Sequence, residues 1–214
     1  MTVTVCIPVF NRFEYVDEAV ASVWRQTSED VEIVIVDDGS TKPYRRKRQV
    51  GEWVVRTNHR GPAGAWNTGL MAAEGDWFMP LADDDWLAPD CIEQALAKTR
   101  AGTDVVVCAM EEHGGPGVRY EPAPVTLEEE REANRLPYTA LFNVSTLRFL
   151  GGWDARLAIY PDWGMWLTLL QAKAKFAYAP KATIAYRNHG GQHSKRITEE
   201  EHQVEIARVR EFFP

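Results

Sequence analysis

Cysteine is scarce in this sequence of 214 residues: Cys6, Cys91 and Cys108 lie far apart and form neither a C-x-x-C pair nor a zinc-ligand pattern. The spacing offers no disulfide framework, and the expectation is of free thiols in a reducing compartment. Long apolar runs are missing too. No stretch approaches the length that spans a bilayer, and the start, Thr2-Val3-Thr4-Val5-Cys6-Ile7, has no basic n-region or cleavage site. No integral membrane association and a cytoplasmic location are therefore expected. Positive charge is in deficit, with a formal net charge of -7, which argues against the broad basic surface of a non-specific nucleic-acid binder. The one basic run, Arg45-Arg46-Lys47-Arg48, reads as a solvated face, and no repeat or low-complexity tract is present.

What the chain does have is a globular balance, 45% hydrophobic and 26% charged residues, at a length that suits a single compact unit. Eight tryptophans are many for this size; most are expected to be packing, while such amphipathic rings also line clefts that bind flat ligands. Residues 2–8 read as a strand. Asn11 and Glu14 have capping-box spacing before a helix whose apolar face is Val16, Ala19, Val20, Val23 and Trp24. A continuous apolar strand over 31–36 stops at Asp37-Asp38-Gly39-Ser40, as expected of a strand buried on both faces. Then come a short strand near Trp53-Val54-Val55, a Gly-rich helix start over 61–69 and a strand over 77–81. This β-α-β-α-β order predicts a doubly wound α/β sheet, which binds ligands beyond the carboxyl ends of its strands.

A helix over 89–100 and a strand over 104–109 continue the pattern. Residues 110–138 are less regular, and the run Glu128-Glu129-Glu130-Arg131-Glu132 reads as a solvated helix face. A helix over 162–172, strands over 176–179 and 183–186, and a last helix with a Thr198/Glu201 capping box follow. That last helix is expected to dock through Val204, Ala207 and Phe212.

Asp83-Asp84-Asp85 is costly to hold at a buried strand end unless a cation or hydrogen-bond donors compensate it. Hard oxygen ligands favour Mg²⁺ or Mn²⁺, and Mg²⁺ characteristically takes one or two carboxylates plus substrate phosphates. The alternative is a loop of solvated aspartates that caps the following helix.

In order and spacing, Ile7-Pro8-Val9-Phe10-Asn11-Arg12, Val36-Asp37-Asp38-Gly39-Ser40, Asn67-Thr68-Gly69 and the stretch from Leu81 to Pro89 resemble the family-two glycosyltransferases of GT-A fold. Gly151-Gly152-Trp153-Asp154 and Pro161-Asp162-Trp163 extend the likeness over most of the chain. The resemblance implies a GT-A-type, mostly parallel sheet flanked by helices. Residues 1–109 would be its nucleotide-sugar-binding half, and 110–214 the smaller acceptor-side half. It also implies inverting transfer from a nucleotide-diphosphate sugar, by default a UDP-sugar, to an acceptor hydroxyl, with Mn²⁺ or Mg²⁺ on the diphosphate. Pro8 and Phe10 would border the nucleobase, Asp37 would accept from it, and Asp38 would support that turn. Asn67 belongs to the donor-binding set, Asp84 would meet the ribose or donor sugar, Asp85 would bind the metal, and Asp83 would be auxiliary. Asp162 would be the catalytic base, its alternative being an N-cap of its helix. The segment from Tyr186 to Ser194 is similar to the family's carboxyl-terminal loop. There Arg187 would pair with phosphate, His189 would assist the metal, and His193 is a weaker candidate.

Ala82 stands where the family often carries the first metal-motif Asp, Trp66 where an Arg is frequent, and Pro161 where a Glu is frequent. The first leaves the metal-binding burden to Asp84 and Asp85; the other two bear on donor preference and on tuning of the base. The Gln-x-x-Arg-Trp motif of processive synthases is absent, which implies one sugar per event. Two rivals remain: a catalytically silent nucleotide-sugar-binding module, and a nucleotidyltransferase. The latter would open with a Gly-rich, Arg-containing phosphate loop where this chain has Pro-Val-Phe-Asn-Arg.

Overall fold

The computed structural model describes residues 1–192 and 195–214; His193 lies outside the described residues. Strands β1 (Val3–Val9), β2 (Val31–Asp37), β3 (Glu52–Arg56) and β4 (Trp77–Pro80) pair in parallel in the order β3-β2-β1-β4. Beyond β4 the sheet becomes mixed. It continues through β8 (Ala140–Asn143), β6 (Val105–His113), β9 (Phe176–Arg187) and β5 (Trp86–Leu87). Strand β8 runs antiparallel to both its neighbours, β9 runs parallel to β6, and the short β7 (Arg119–Tyr120) pairs with β6. A single sheet thus draws strands from both sides of residue 109.

β1 and β2 are buried along nearly their whole length because helices cover both faces. Alternation sends Val3, Val5, Ile7, Ile33 and Ile35 to one side, against α1 (Val16–Trp24) and α3 (Cys91–Leu96). Cys6, Val34, Val36 and Phe78 face the other, under α2 (Gly61–Ala72), α5 (Val144–Leu150) and α6 (Pro161–Gln171). All three cysteines are buried and free.

Several local expectations change. Asn11 and Glu14 do not cap α1: Asn11 adopts a positive φ of 54° and accepts from Thr41 N at 2.8 Å, and the N-cap is Tyr15. The two predicted strands after residue 176 are one strand, β9, and the apparent gap at Pro180 is a register shift opposite Cys108 and Ala109. The acidic run does form α4 (Leu127–Glu132), capped by Thr126 and Glu129, but Glu130 is 0% exposed and not solvated. Helix α7 (Glu199–Phe212) opens with its predicted capping box and docks on Leu157, Trp163 and Leu167. Val209, Ile206 and Phe212 carry that contact, while Val204 is 53% exposed and Ala207 faces outward. The i, i+3 spacing of the alternative stripe, 206–209, picks the other face.

Candidate functional site

The order β3-β2-β1-β4 reverses direction at β1, so the carboxyl ends of β1, β2 and β4 border one crevice. Two aspartate runs and one arginine emerge there. Asp37 ends β2, Asp83, Asp84 and Asp85 follow β4, and Arg12 follows β1, the parallel neighbour of β4.

The first run is saturated with donors. Asp37 accepts from the backbone N–H groups of Ser40 (2.9 Å) and Tyr44 (3.0 Å) and from Arg56 Nη1 (2.8 Å), and it is 1% exposed. Burial pushes its carboxyl up, but the bonds from Ser40 and Tyr44 and the Arg56 charge outweigh that and hold it below the usual range. Asp38 accepts from Arg60 N and Gly61 N, both at 2.9 Å, and pairs with His59 at 2.9 Å, fastening the end of β2 to the start of α2. Gly39 turns the chain between them at φ 81°, where a Cβ would meet His59 N at 2.6 Å. Asp38 supports the turn from β2 to α2, and Asp37 organises its first residues.

The second run is short of donors. Asp83 and Asp84 share the Arg12 guanidinium: Nη2 pairs with Asp83 and lies 2.9 Å from Asp84 Oδ2, while Nη1 reaches Gly191 O at 3.2 Å. Asp85, 1% exposed, accepts from the Tyr138 hydroxyl at 2.7 Å and from Arg187 N at 2.8 Å. Burial, with Asp84 adding repulsion, pushes Asp85 up to about 7. Asp83 rises to about 6 through burial, against the pull of Arg12. The aspartates are turned inward, which removes the alternative of a solvated loop.

Three of the predicted site residues make their contacts within the protein. Arg187 spends Nε on Asp84 O (2.8 Å) and Nη2 on Glu18 (2.6 Å), with its guanidinium 4.5 Å from the ring centroids of both Tyr15 and Trp86. It clamps the acidic loop against α1. His189 meets Asp84, not Asp85: Nδ1 takes the Gly191 N–H at 3.1 Å, which leaves Nε2 to donate to Asp84 at 3.0 Å. Asn67 uses both ends of its amide on the Trp153 backbone, at 2.7 and 2.8 Å, and clamps the loop at Gly152 (φ 75°) where a side chain would strike it. These bonds tie α2 to the loop at Gly152 and Trp153.

Among the described residues no three His, Cys, Asp or Glu side chains gather into a metal cage. The donor chemistry nevertheless fits a cation that arrives on phosphates, since such an ion needs only one or two protein carboxylates and Asp85 lacks a full countercharge. Asp162 lies in the first turn of α6 behind Tyr160, the N-cap, and Pro161, so it is not itself the cap. It accepts from Asn134 Nδ2 at 2.9 Å, and burial raises its carboxyl despite that bond. Phe10, 42% exposed past the end of β1, stacks on His59 with ring centroids 3.9 Å apart, and Pro8 lies half-buried before it.

Arg12, His59, Asn134 and Tyr138 were not singled out from sequence. Only Arg12 carried a signal, since it stands one residue past Asn11 in the first motif; the others become neighbours of the site through folding alone.

The chain resembles several named proteins. It is 30% identical over 113 residues, half of this chain and 33% of the relative, to the putative glycosyltransferase EpsH of Bacillus subtilis. It is 29% identical over 203 residues, 86% of this chain and 42% of the relative, to the pre-mycofactocin glycosyltransferase of Mycobacterium tuberculosis. The chain thus spans less than half the length of these two curated relatives. The structure of S. aureus TarS in complex with UDP-GlcNAc superposes with a TM-score of 0.73 at 23% identity, over 98% of this chain and 66% of that one, and shares the GT-A fold. No helix among the described residues is long and apolar enough to cross a membrane. The model of glycosyl transferase family 2 matches residues 4–151, across the crevice strands and the aspartates they carry, and the chain belongs to that family.

Proposed function

We propose that this chain performs inverting transfer of a single sugar from a nucleotide-diphosphate donor, UDP-linked by preference, to an acceptor hydroxyl. The observation that carries the reading is the inward-facing carboxylate Asp85, buried at the switch point of the sheet with no cationic side chain beside it among the described residues and only the Tyr138 hydroxyl and Arg187 N–H as donors. The UDP-GlcNAc complex of TarS, and the naming of S. aureus TarS as a poly(ribitol-phosphate) β-N-acetylglucosaminyltransferase, favour a UDP-sugar donor.

In this reading the Phe10–His59 stack offers a flat face to the nucleobase, with Pro8 at its border. Asp84 meets the ribose or donor sugar, and Arg12 holds it there. Asp85 is the protein ligand for Mn²⁺ or Mg²⁺, with Asp83 auxiliary. When bound, the cation neutralises charge on the departing diphosphate, so no separate general acid is needed. Asp162 accepts the acceptor's proton while the acceptor oxygen bonds to the anomeric carbon opposite the breaking bond to phosphate, which inverts that centre. Burial strengthens Asp162 as a base by raising its carboxyl. Arg187 and His189 keep the carboxyl-terminal loop against the acidic triplet.

A thermal-shift and calorimetric screen of UDP, GDP, dTDP and their sugars, with and without Mn²⁺, tests the reading. Binding of UDP that tightens with Mn²⁺ is expected, because a ligand selective for the folded state raises its apparent stability. Absence of any nucleotide response would sink it.

A further inference from the structure

We propose that residues 134–138 form a positioning bridge that fixes both carboxylates of the reaction, Asp162 through Asn134 and Asp85 through Tyr138; the inference rests on the functional reading above. Asn134 Nδ2 donates to Asp162 Oδ2 at 2.9 Å. Four residues on, the Tyr138 hydroxyl donates to Asp85 Oδ2 at 2.7 Å and accepts from Ala82 N at 3.1 Å. One short segment therefore touches two acidic positions that lie far apart in the sequence.

The bridge is anchored at both ends. On the base side, Trp163 Nε1 donates to Glu130 O at 2.6 Å, and the Glu130 carboxylate takes the Arg135 N–H, which ties the bridge to α4 and α6. On the metal side, Thr139 donates to Pro80 O, and Trp66 stacks parallel to Tyr138 with centroids 6.4 Å apart. Leu136 and Pro137 are buried between these anchors. Rigid support of this kind is what a carboxylate needs if it is to meet a reacting atom within a fraction of an ångström.

The orphaned end of Asn134 supports a functional reading of the residue. Its Oδ1 is buried and has no partner among the described residues, which is unfavourable for a side chain kept only for stability. Asn134 is the neutral donor to Asp162. The titratable groups facing that carboxyl are Glu130 from α4 and Tyr160 at the start of α6, with Arg135 acting on Glu130. Both faces of the reaction therefore share one scaffold, and a movement of residues 134–138 would displace base and metal ligand together.

The test compares Asn134→Ala and Tyr138→Phe with the unmodified chain, using UDP-GlcNAc hydrolysis, UDP calorimetry with Mn²⁺ and a ¹³C NMR titration of the Asp162 carboxyl. Asn134→Ala should lower kcat by about tenfold or more, the value of a hydrogen bond to a charged group, and leave UDP affinity unchanged. Since the Asn134 bond lowers the Asp162 pKa, its loss should raise that pKa and move the acidic limb of the rate profile to higher pH. Tyr138→Phe should weaken Mn²⁺-dependent UDP binding by about tenfold and leave the Asp162 titration in place. Asn134→Ser serves if the alanine variant does not fold, and Asn134→Gln should restore part of the rate. An unchanged Asp162 titration in the Asn134 variants, or unchanged UDP affinity in Tyr138→Phe, overturns the bridge. Failure of the unmodified chain to bind UDP overturns the functional reading instead, and the Asp162 titration still decides the role of Asn134.

Discussion

Two runs of consecutive aspartates leave parallel strands of one sheet, and the structure treats them in opposite ways. Asp37 and Asp38 are met by backbone N–H groups, Arg56 and His59, and the Asp37 carboxyl is held low. Asp83 and Asp85 are met by fewer donors than their burial requires and are pushed up to about 6 and about 7. Donor supply, not acidity of sequence, separates a carboxylate that builds a turn from one left short of partners. Asp162 belongs with the second kind, since its single side-chain donor, Asn134, does not offset its burial.

The sharpest test of that contrast is functional. Asp162→Asn should lower sugar transfer by about 10²-fold or more, the usual worth of a general base, while calorimetry finds UDP binding intact. Equal transfer rates would remove Asp162 from the reaction. Asp85→Asn should abolish the Mn²⁺ dependence of UDP binding yet leave the melting temperature equal or higher, because it removes an under-compensated buried charge. Asp37→Ala should do the reverse: urea titration should show a loss of about 2–3 kcal/mol, as three bonds to a charged acceptor go and buried donors are left unpaired. A contrast of this kind would be broken if Asp85→Asn unfolded the chain and Asp37→Ala did not.

Glu130 extends the comparison to a smaller, pH-dependent effect. Burial, with Asp162 adding repulsion, raises it from 4.5 to about 7, although it accepts from Arg135 N. Between those values the folded chain holds a proton that the unfolded chain has released, so stability falls as pH rises from about 4.5 to about 7 and is level above. Asp37 has the opposite sign, its contribution being present above 3.8 and lost as pH falls below. Asp83 and Asp85 contribute declines of the same sign, so stability curves for Glu130→Gln should fall less steeply between pH 4.5 and 7 than those of the unmodified chain; an identical slope in both chains would remove Glu130 as a contributor.

Strands and motifs were legible where the signal is local. The apolar runs of β1 and β2, the helix stripe of α1 and the aspartates beyond β2 and β4 all read directly, because burial on both faces and period-3.6 patterning are written residue by residue. Boundaries set by partners were not legible. Nothing in the sequence indicates that β9 crosses Pro180 without ending, since the register shift is settled by β6 alongside it. The burial of Glu130 likewise depends on α6 packing over α4, and the face of α7 that docks depends on Trp163 and Leu167.

The same division runs through the site. Asp83, Asp84, Asp85 and Asp162 were recognisable as candidates, but which atoms they meet was not, because Arg12, Asn134 and Tyr138 reach them across up to 71 intervening positions. The α/β order, the family and the acidic composition of the crevice follow from short-range patterns of residue type in the chain. Which carboxylates are saturated, which are left short of donors, and what Arg187, His189 and Asn67 touch follow from the folded chain alone. Hydrogen-bond partners and burial are properties of residues brought together by the fold, and a linear pattern does not carry them.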